Sequence, residues 1–201
     1  ASAPAKAPSF NQRVRALREE EIMAAGARVF ASQGCFACKV EDVALQAGVA
    51  KGSIYAHFPS KEQMLQAVLE RLEAQLLAEY ERRSRDTSSA TAASAPLVLV
   101  AEILLELERE HESHSQSLLR RLRCSLESSG QNRKAERLET LVRSVMEEGL
   151  RSGLLKHTLP AATLAELFVE MATCRPFRKI SHSADCRRAA KAAVAFFLQG
   201  A

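Results

Sequence analysis

Five cysteines and five histidines are the residues of this 201-residue chain best suited to redox or metal chemistry. Cys35-Phe-Ala-Cys38 is a C-x-x-C pair set just before a predicted helix start, where the helix dipole favours a thiolate. A thiol-based or metal-responsive switch would use these two residues. A zinc site needs about four ligands, and no second C-x-x-C or H-x-x-H lies nearby in sequence. His111 and His114, at i, i+3 within Glu110-His-Glu-Ser-His114, each read more simply as solvated at a helix end. So do His182 and Cys186, at i, i+4, and Arg120-Arg-Leu-Arg123 reads as a solvated basic face. No nucleophile elbow, phosphate-binding loop, dinucleotide fingerprint or zinc-hydrolase motif is present, so neither an enzyme, a metal centre nor a cofactor is expected.

A different set of residues is suited to hydrogen bonding rather than reaction. Val40 to Lys61 reads Val-Glu-Asp-Val-Ala-Leu-Gln-Ala-Gly-Val-Ala-Lys-Gly-Ser-Ile-Tyr-Ala-His-Phe-Pro-Ser-Lys. Val40, Val43, Ala44 and Ala47 recur at helical spacing, Gly48 breaks the pattern, and Val49, Ile54 and Phe58 are the apolar positions of a second short helix. A sharp turn between packed helices needs positive φ after the first, which glycine adopts without steric cost. The second helix, about Ala50 to Phe58, leaves Lys51, Gly52, Ser53, Ala56 and His57 for solvent or a partner. A helix with a small, polar outer face can enter a major groove. Pro59 stops it, Ser60 is a good N-cap, and Lys61 opens a long new helix.

Gly34-Cys-Phe-Ala-Cys-Lys-Val-Glu-Asp-Val-Ala-Leu-Gln-Ala-Gly-Val-Ala-Lys-Gly-Ser-Ile-Tyr-Ala-His-Phe-Pro-Ser-Lys-Glu62 resembles, nearly position for position, the signature of the tetracycline-repressor (TetR) family of bacterial transcription regulators. The resemblance covers residues 15 to 70 and includes the preceding helix, with Ile22, Ala25, Val29 and Phe30 on one face. It implies base-edge contacts from Lys51, Gly52, Ser53 and His57, with Ala50 at the edge, and phosphate contacts from Tyr55 and Lys61. Lys51 suits guanine O6 or N7, and Ser53 several bases. Two positions depart from the family pattern. Cys38 stands where a threonine usually caps the first helix of the motif, and Ala50 where serine or threonine is common. Losing an N-cap hydroxyl costs on the order of 1 kcal/mol, and Lys39 can replace the lost phosphate contact by charge.

Alanine, leucine, glutamate and arginine dominate, tryptophan is absent, and the composition is that of an all-helical protein. Net charge is +4. Residues 1–61 hold eight Lys or Arg against five Asp or Glu, and residues 62–201 twenty against nineteen, so the excess lies on the helix-turn-helix side. No apolar run reaches the roughly 18 residues of a membrane span, no secretory leader opens the chain, and the odd cysteine count does not fit a secreted disulfide framework. A cytoplasmic protein with no membrane partner is expected.

The predicted organisation is a flexible arm at 1–10, whose Lys6 could join Arg13 and Arg15 in a minor groove, a helix-turn-helix domain at 11–60, and an effector-binding and dimerisation domain at 61–201. Helices are expected at Gln12–Gln33, Lys61–Arg83, Pro96–Glu112, Ser115–Leu126, Arg133–Arg151, Pro160–Cys174 and Asp185–Leu198. Loops are expected at Asp86–Ala95, Ser128–Asn132 and Arg175–Ser183. The module core is expected to be Ile22, Val29, Phe30, Phe36, Val40, Val43, Val49, Ile54 and Phe58.

The last two helices carry small residues on broad apolar faces, which points to a second subunit. By resemblance they pair in a four-helix bundle, placing Leu164, Phe168, Met171, Ala189, Ala193, Phe196 and Phe197 at a homodimer interface. The resemblance likewise implies a small-molecule effector in a pocket among the central helices, lined by residues such as Leu104, Leu107, Leu118, Leu122 and Met146. The fold class is all-α, and the function read from it is a dimeric repressor that binds a palindromic double-stranded operator and is released by a ligand. The rival readings are a sensor built on Cys35 and Cys38, and a helical ligand-binding protein without DNA binding.

Overall fold

The computed structural model describes residues 9–86, 93–111, 117–128, 137–156, 158–183 and 185–200. The predicted arm up to residue 8, residues 87–92 of the predicted loop, His114, the break at 129–132 and the predicted helix start at 133 lie outside them. All regular structure among the described residues is helical, and no helix there is long and apolar enough to cross a membrane.

Three helices form the N-terminal module: α1 (Phe10–Gln33), α2 (Val40–Ala47) and α3 (Lys51–His57). α1 begins two residues before the expected Gln12 because Ser9 and Gln12 cap each other. The Gln12 N–H donates to Ser9 Oγ at 3.3 Å, and the Ser9 N–H to Gln12 Oε1 at 2.7 Å. The N-cap of α2 is Lys39 rather than Cys38; it makes no side-chain cap bond, and the helix start is tied instead by its backbone, the Lys39 N–H donating to Asp42 Oδ2 at 2.9 Å. Gly48 closes α2 in the left-handed conformation (φ 67°, ψ 29°), and the Val49 N–H reaches back to the Ala44 carbonyl at 3.0 Å.

Ile22, Phe30, Val43, Ile54 and Phe58 form the module's core as the apolar spacing predicts. Phe36 does not. It is 70 % exposed, because Cys35 and Cys38 on either side of it take the buried places of the loop. Val49 is only half-buried.

α4 (Lys61–Asp86) joins the module to the rest. Ser60 caps it by accepting the Gln63 N–H at 3.2 Å. α1 approaches α4 closely at Gly26, where a Cβ would lie 3.3 Å from Val68 Cγ2, and an Arg71–Glu20 ion pair spans the same two helices.

The remaining helices are α5 (Ala95–Glu110), α6 (Leu118–Ser128), α7 (Arg137–Arg151), α8 (Ala161–Ala172), α9 (Arg175–Ser183) and α10 (Cys186–Gly200), with α5 packed against α4, α8, α9 and α10. Residues 175–183, expected to be a loop, form α9. Pro176 falls in the first turn, where its missing N–H is not needed, and the helix buries Arg178 and Ser181. Fully buried Glu108 of α5 starts α6, accepting from Ser117 Oγ at 2.6 Å and the Leu118 N–H at 3.0 Å. Buried Glu73 of α4 accepts from Arg123 Nη2 of α6 at 3.0 Å.

The expected dimer face is largely internal. α10 packs on α5, α8 and α9, and its Ala189 and Ala193 are fully buried there. Phe168 and Phe197 meet edge to face at 5.1 Å, and Leu164 is buried as well. Small side chains do allow close helix approach, but here the approach is within one chain. Of the seven residues expected at the interface, Phe196 is 64 % exposed and Met171 half-buried. Leu167, 50 % exposed on α8, was not among those expected.

Candidate nucleic-acid interface

α3 is short, and its only buried residue is Ile54. Its N-cap Ala50 makes no side-chain cap bond, and the Ser53 N–H donates to the Ala50 carbonyl at 2.9 Å. Ala50, Lys51, Gly52, Tyr55 and Ala56 are exposed and Ser53 is half-buried. A Cβ built on Gly52 meets nothing within 4 Å, so the helix is open to an approaching surface at that point.

Each cation of the interface has its own setting. Lys51 Nζ lies 2.6 Å from Glu41 Oε1 of α2 and 5.8 Å from the centre of the Tyr55 ring. The hydrogen bond with Glu41 raises the lysine's pKa and lowers that of the carboxyl. Both groups are about half exposed, so a phosphate or a base edge can compete for the ammonium. Lys61 Nζ donates to the carbonyls of Cys38 (2.8 Å) and Phe36 (3.2 Å), tying the loop between α1 and α2 to the start of α4. An ammonium has three donors, so one is left for a phosphate. Lys39 is exposed at the start of α2.

His57 differs from what the sequence leads one to expect. Its side chain is 11 % exposed and its Nδ1 lies 3.0 Å from Glu19 Oε1 of α1, so it faces the module rather than solvent. Glu19 also accepts from Arg15 Nε at 3.0 Å, and the bond from His57, with that from Arg15 second, lowers its pKa. Neither Glu19 nor Glu41 was singled out from sequence. Their partners lie 38 and 10 residues away, beyond the reach of any helical spacing.

The C-x-x-C pair is poorly placed for thiolate chemistry. Cys35 and Cys38 are 2 % and 3 % exposed, and burial pushes the Cys38 thiol up despite Lys61 nearby. The Cys38 thiol donates to the Cys35 carbonyl at 3.6 Å. Among the described residues no three His, Cys, Asp or Glu side chains are grouped to hold a metal ion.

The residues expected to line an effector pocket lie inside the bundle. Leu104, Leu107, Leu118, Leu122 and Met146 are all buried core. One cavity of about 200 Å³ lies elsewhere in the bundle, among Tyr80, Leu97, Ser144, Val145, Gly149 and Leu154. A larger open cleft of about 710 Å³ lies between the module and the end of α5, lined by Arg28, Gln33, Asp42, Leu45, Glu110 and His111 among others.

A glycine-turned helix pair with an open outer face, carried on a long helix into an all-helical bundle, defines the chain as a helix-turn-helix protein. Residues 22–68 match the family model of bacterial regulatory proteins, tetR family. The likeness to that family therefore lies in this module, under a quarter of the chain. It is 46 % identical over 54 residues to the HTH-type transcriptional repressor KstR2 of Mycolicibacterium smegmatis, a match that spans 27 % of this chain and about a quarter (26 %) of that repressor. In fold the likeness extends further. The TetR family transcriptional regulator PfmR of Thermus thermophilus superposes with a TM-score of 0.62 at 18 % identity, covering 89 % of this chain and 97 % of that one. The fatty acid degradation regulator FadR of Bacillus halodurans does so at 0.63 and 19 %, covering 91 % and 95 %.

Proposed function

We propose that the chain is a DNA-binding transcription regulator of bacteria, a repressor that binds a two-fold symmetric operator as a homodimer and is released by a small molecule. The observation that carries this reading is α3, held out by the Gly48 turn with Lys51, Gly52, Ser53 and Tyr55 on its open side. Lys51 and Ser53 suit base edges and Tyr55, Lys39 and Lys61 suit phosphates. The family match over residues 22–68 supports the same reading. The reading includes no catalytic step, and it places the protein in the cytoplasm, where chromosomal DNA lies.

Two half-sites on one face of a duplex lie about 34 Å apart or at multiples of that, so two copies of α3 are needed. Leu167 and Phe196, with Ala192 and Ala195, are the exposed small and apolar side chains of α8 and α10 suited to a second copy. Glu166 and Glu170 on α8 and Arg188 and Lys191 on α10 are exposed beside them and complementary in charge. The effector belongs to the bundle of residues 61–201. The cavity at Tyr80 and Val145 is below the roughly 300–1,000 Å³ of ordinary ligand pockets, so a drug-sized effector entering there must part α4, α5 and α7.

Replacing Lys51 and Tyr55 together by alanine tests the DNA assignment. Loss of selective binding with the fold intact is expected, and unchanged affinity would sink it. Leu167→Glu with Phe196→Glu is expected to give a monomer by sedimentation. If the double variant still sediments as a dimer, the interface lies elsewhere.

A further inference from the structure

The recognition helix has few anchors. It is seven residues long, buries one side chain, and makes its N-terminal ion pair, Lys51–Glu41, in solvent. At its other end His57 is turned inward onto α1. An ionised carboxylate only accepts, so a ring nitrogen 3.0 Å from Glu19 Oε1 must carry its proton and donate it. Glu19 is held in turn by Arg15 from the preceding turn of α1. This last residue of α3 is thereby fixed to the helix that packs on α4. The imidazole is nine-tenths covered, and facing away from the open side it is poorly placed to read a base. A cation or a donor at a helix C-terminus also sits well with the helix dipole.

We propose that His57 is a positioning residue: through Glu19 it fixes the pitch of α3 against α1, and so sets selective rather than general affinity for DNA. The inference rests on the DNA-binding reading and goes beyond it by removing His57 from the residues that touch DNA and adding Glu19, which touches none. Tilting α3 changes which base edges Lys51 and Ser53 can reach together, while the phosphate-facing Lys39 and Lys61 sit on other elements. Loss of the latch should therefore act on the ratio of operator to random-sequence affinity.

The test is a double-mutant cycle read as that ratio, which cancels the charge removed with Glu19. The probe is a labelled duplex that the wild-type protein selects from a randomised library, and the reference is the unselected library. His57→Ala and Glu19→Ala should each lower the ratio about tenfold, and the double variant no further than the worse single, since residues acting through one contact are not additive. His57→Asn, whose amide can donate from nearly the position of Nδ1, should restore most of the ratio. A neutral Glu19→Ala beside a damaging His57→Ala that asparagine does not rescue would overturn the proposal and make His57 a direct reader. Imidazole nitrogen spectra of the free protein keep the two readings apart. If selection enriches nothing, the DNA reading and the positioning role fall together. If Glu19→Ala leaves the His57 ring signals unmoved, the latch alone is wrong, whatever the DNA result.

Discussion

The module and the bundle hold their charged groups in opposite ways. Around α3 the carboxylates are at the surface: Glu41 and Lys51 are each about half exposed, and Glu19 is one-third exposed between His57 and Arg15. In the bundle, Glu73 and Glu108 are 1 % and 0 % exposed, one held by Arg123 and the other by a hydroxyl and a helix N-terminus. Exposed pairs contribute little to stability and exchange readily for another partner. Buried ones are strongly destabilising to break, because the remaining charge has no water to return to. The module's ion pairs can thus exchange, as the proposed DNA-binding role requires, whereas the buried pairs hold the bundle's helices in one arrangement.

The largest effect should come from breaking the buried pair. Arg123→Leu leaves Glu73 without its cation and is expected to cost about 3–5 kcal/mol in urea unfolding. A loss below about 1 kcal/mol would mean that the carboxyl is protonated in the folded protein, a direction to which burial already pushes it. Next is the turn of the module. Gly48→Ala puts a side chain at φ 67° and should cost about 1–2 kcal/mol, with selective DNA binding falling further because α3 is reoriented.

Where the bundle's ion pairs reach the surface, acid should reveal them. Glu79 is hydrogen-bonded to Arg82 and Arg83, and its pKa is lowered from 4.5 to about 2. A carboxyl depressed in the folded state contributes stability that is fully present above 4.5 and is lost as pH falls from there toward about 2. Wild-type protein should therefore lose its advantage over Glu79→Gln across that window, and a constant difference in urea midpoint would refute the assignment. The smallest effect on stability is expected of Glu41→Gln, because the pair it breaks stands in solvent. The same change releases Lys51 and should raise affinity for random DNA several-fold at low salt. No rise would mean that Lys51 does not leave Glu41 for DNA.

The same division decided what could be read from the sequence. The module was legible because its determinants are local: Gly48, Pro59 and the spacing of Val40, Val43 and Ile54 act within a few residues. Its misreadings were local competitions, with Cys35 and Cys38 displacing Phe36 from the core. His57 was misplaced because its partner sits on a helix far back in the chain.

In the bundle the helices were legible from apolar spacing, except α9, whose proline and cluster of cations resemble a loop. Which face of each helix meets which neighbour was not. Ala189 and Ala193 could equally have met a second subunit, and only the packing of α10 on α5, α8 and α9 decides between them. A residue that lines a pocket and one that fills a core look alike in sequence, and Leu104 and Met146, both buried, fit either description.

The central claim is that α3 reads DNA, and the measurement that meets it most directly is a salt series. Binding of the wild-type protein to its selected duplex and to unselected DNA is followed from low to physiological ionic strength. The account predicts that both affinities fall steeply and linearly on logarithmic axes as phosphate-bound counterions are released, while the selected duplex stays at least about a thousandfold tighter. Equal affinities at every salt concentration would contradict it, and would leave the chain a helical ligand-binding protein with a helix-turn-helix that does not read sequence.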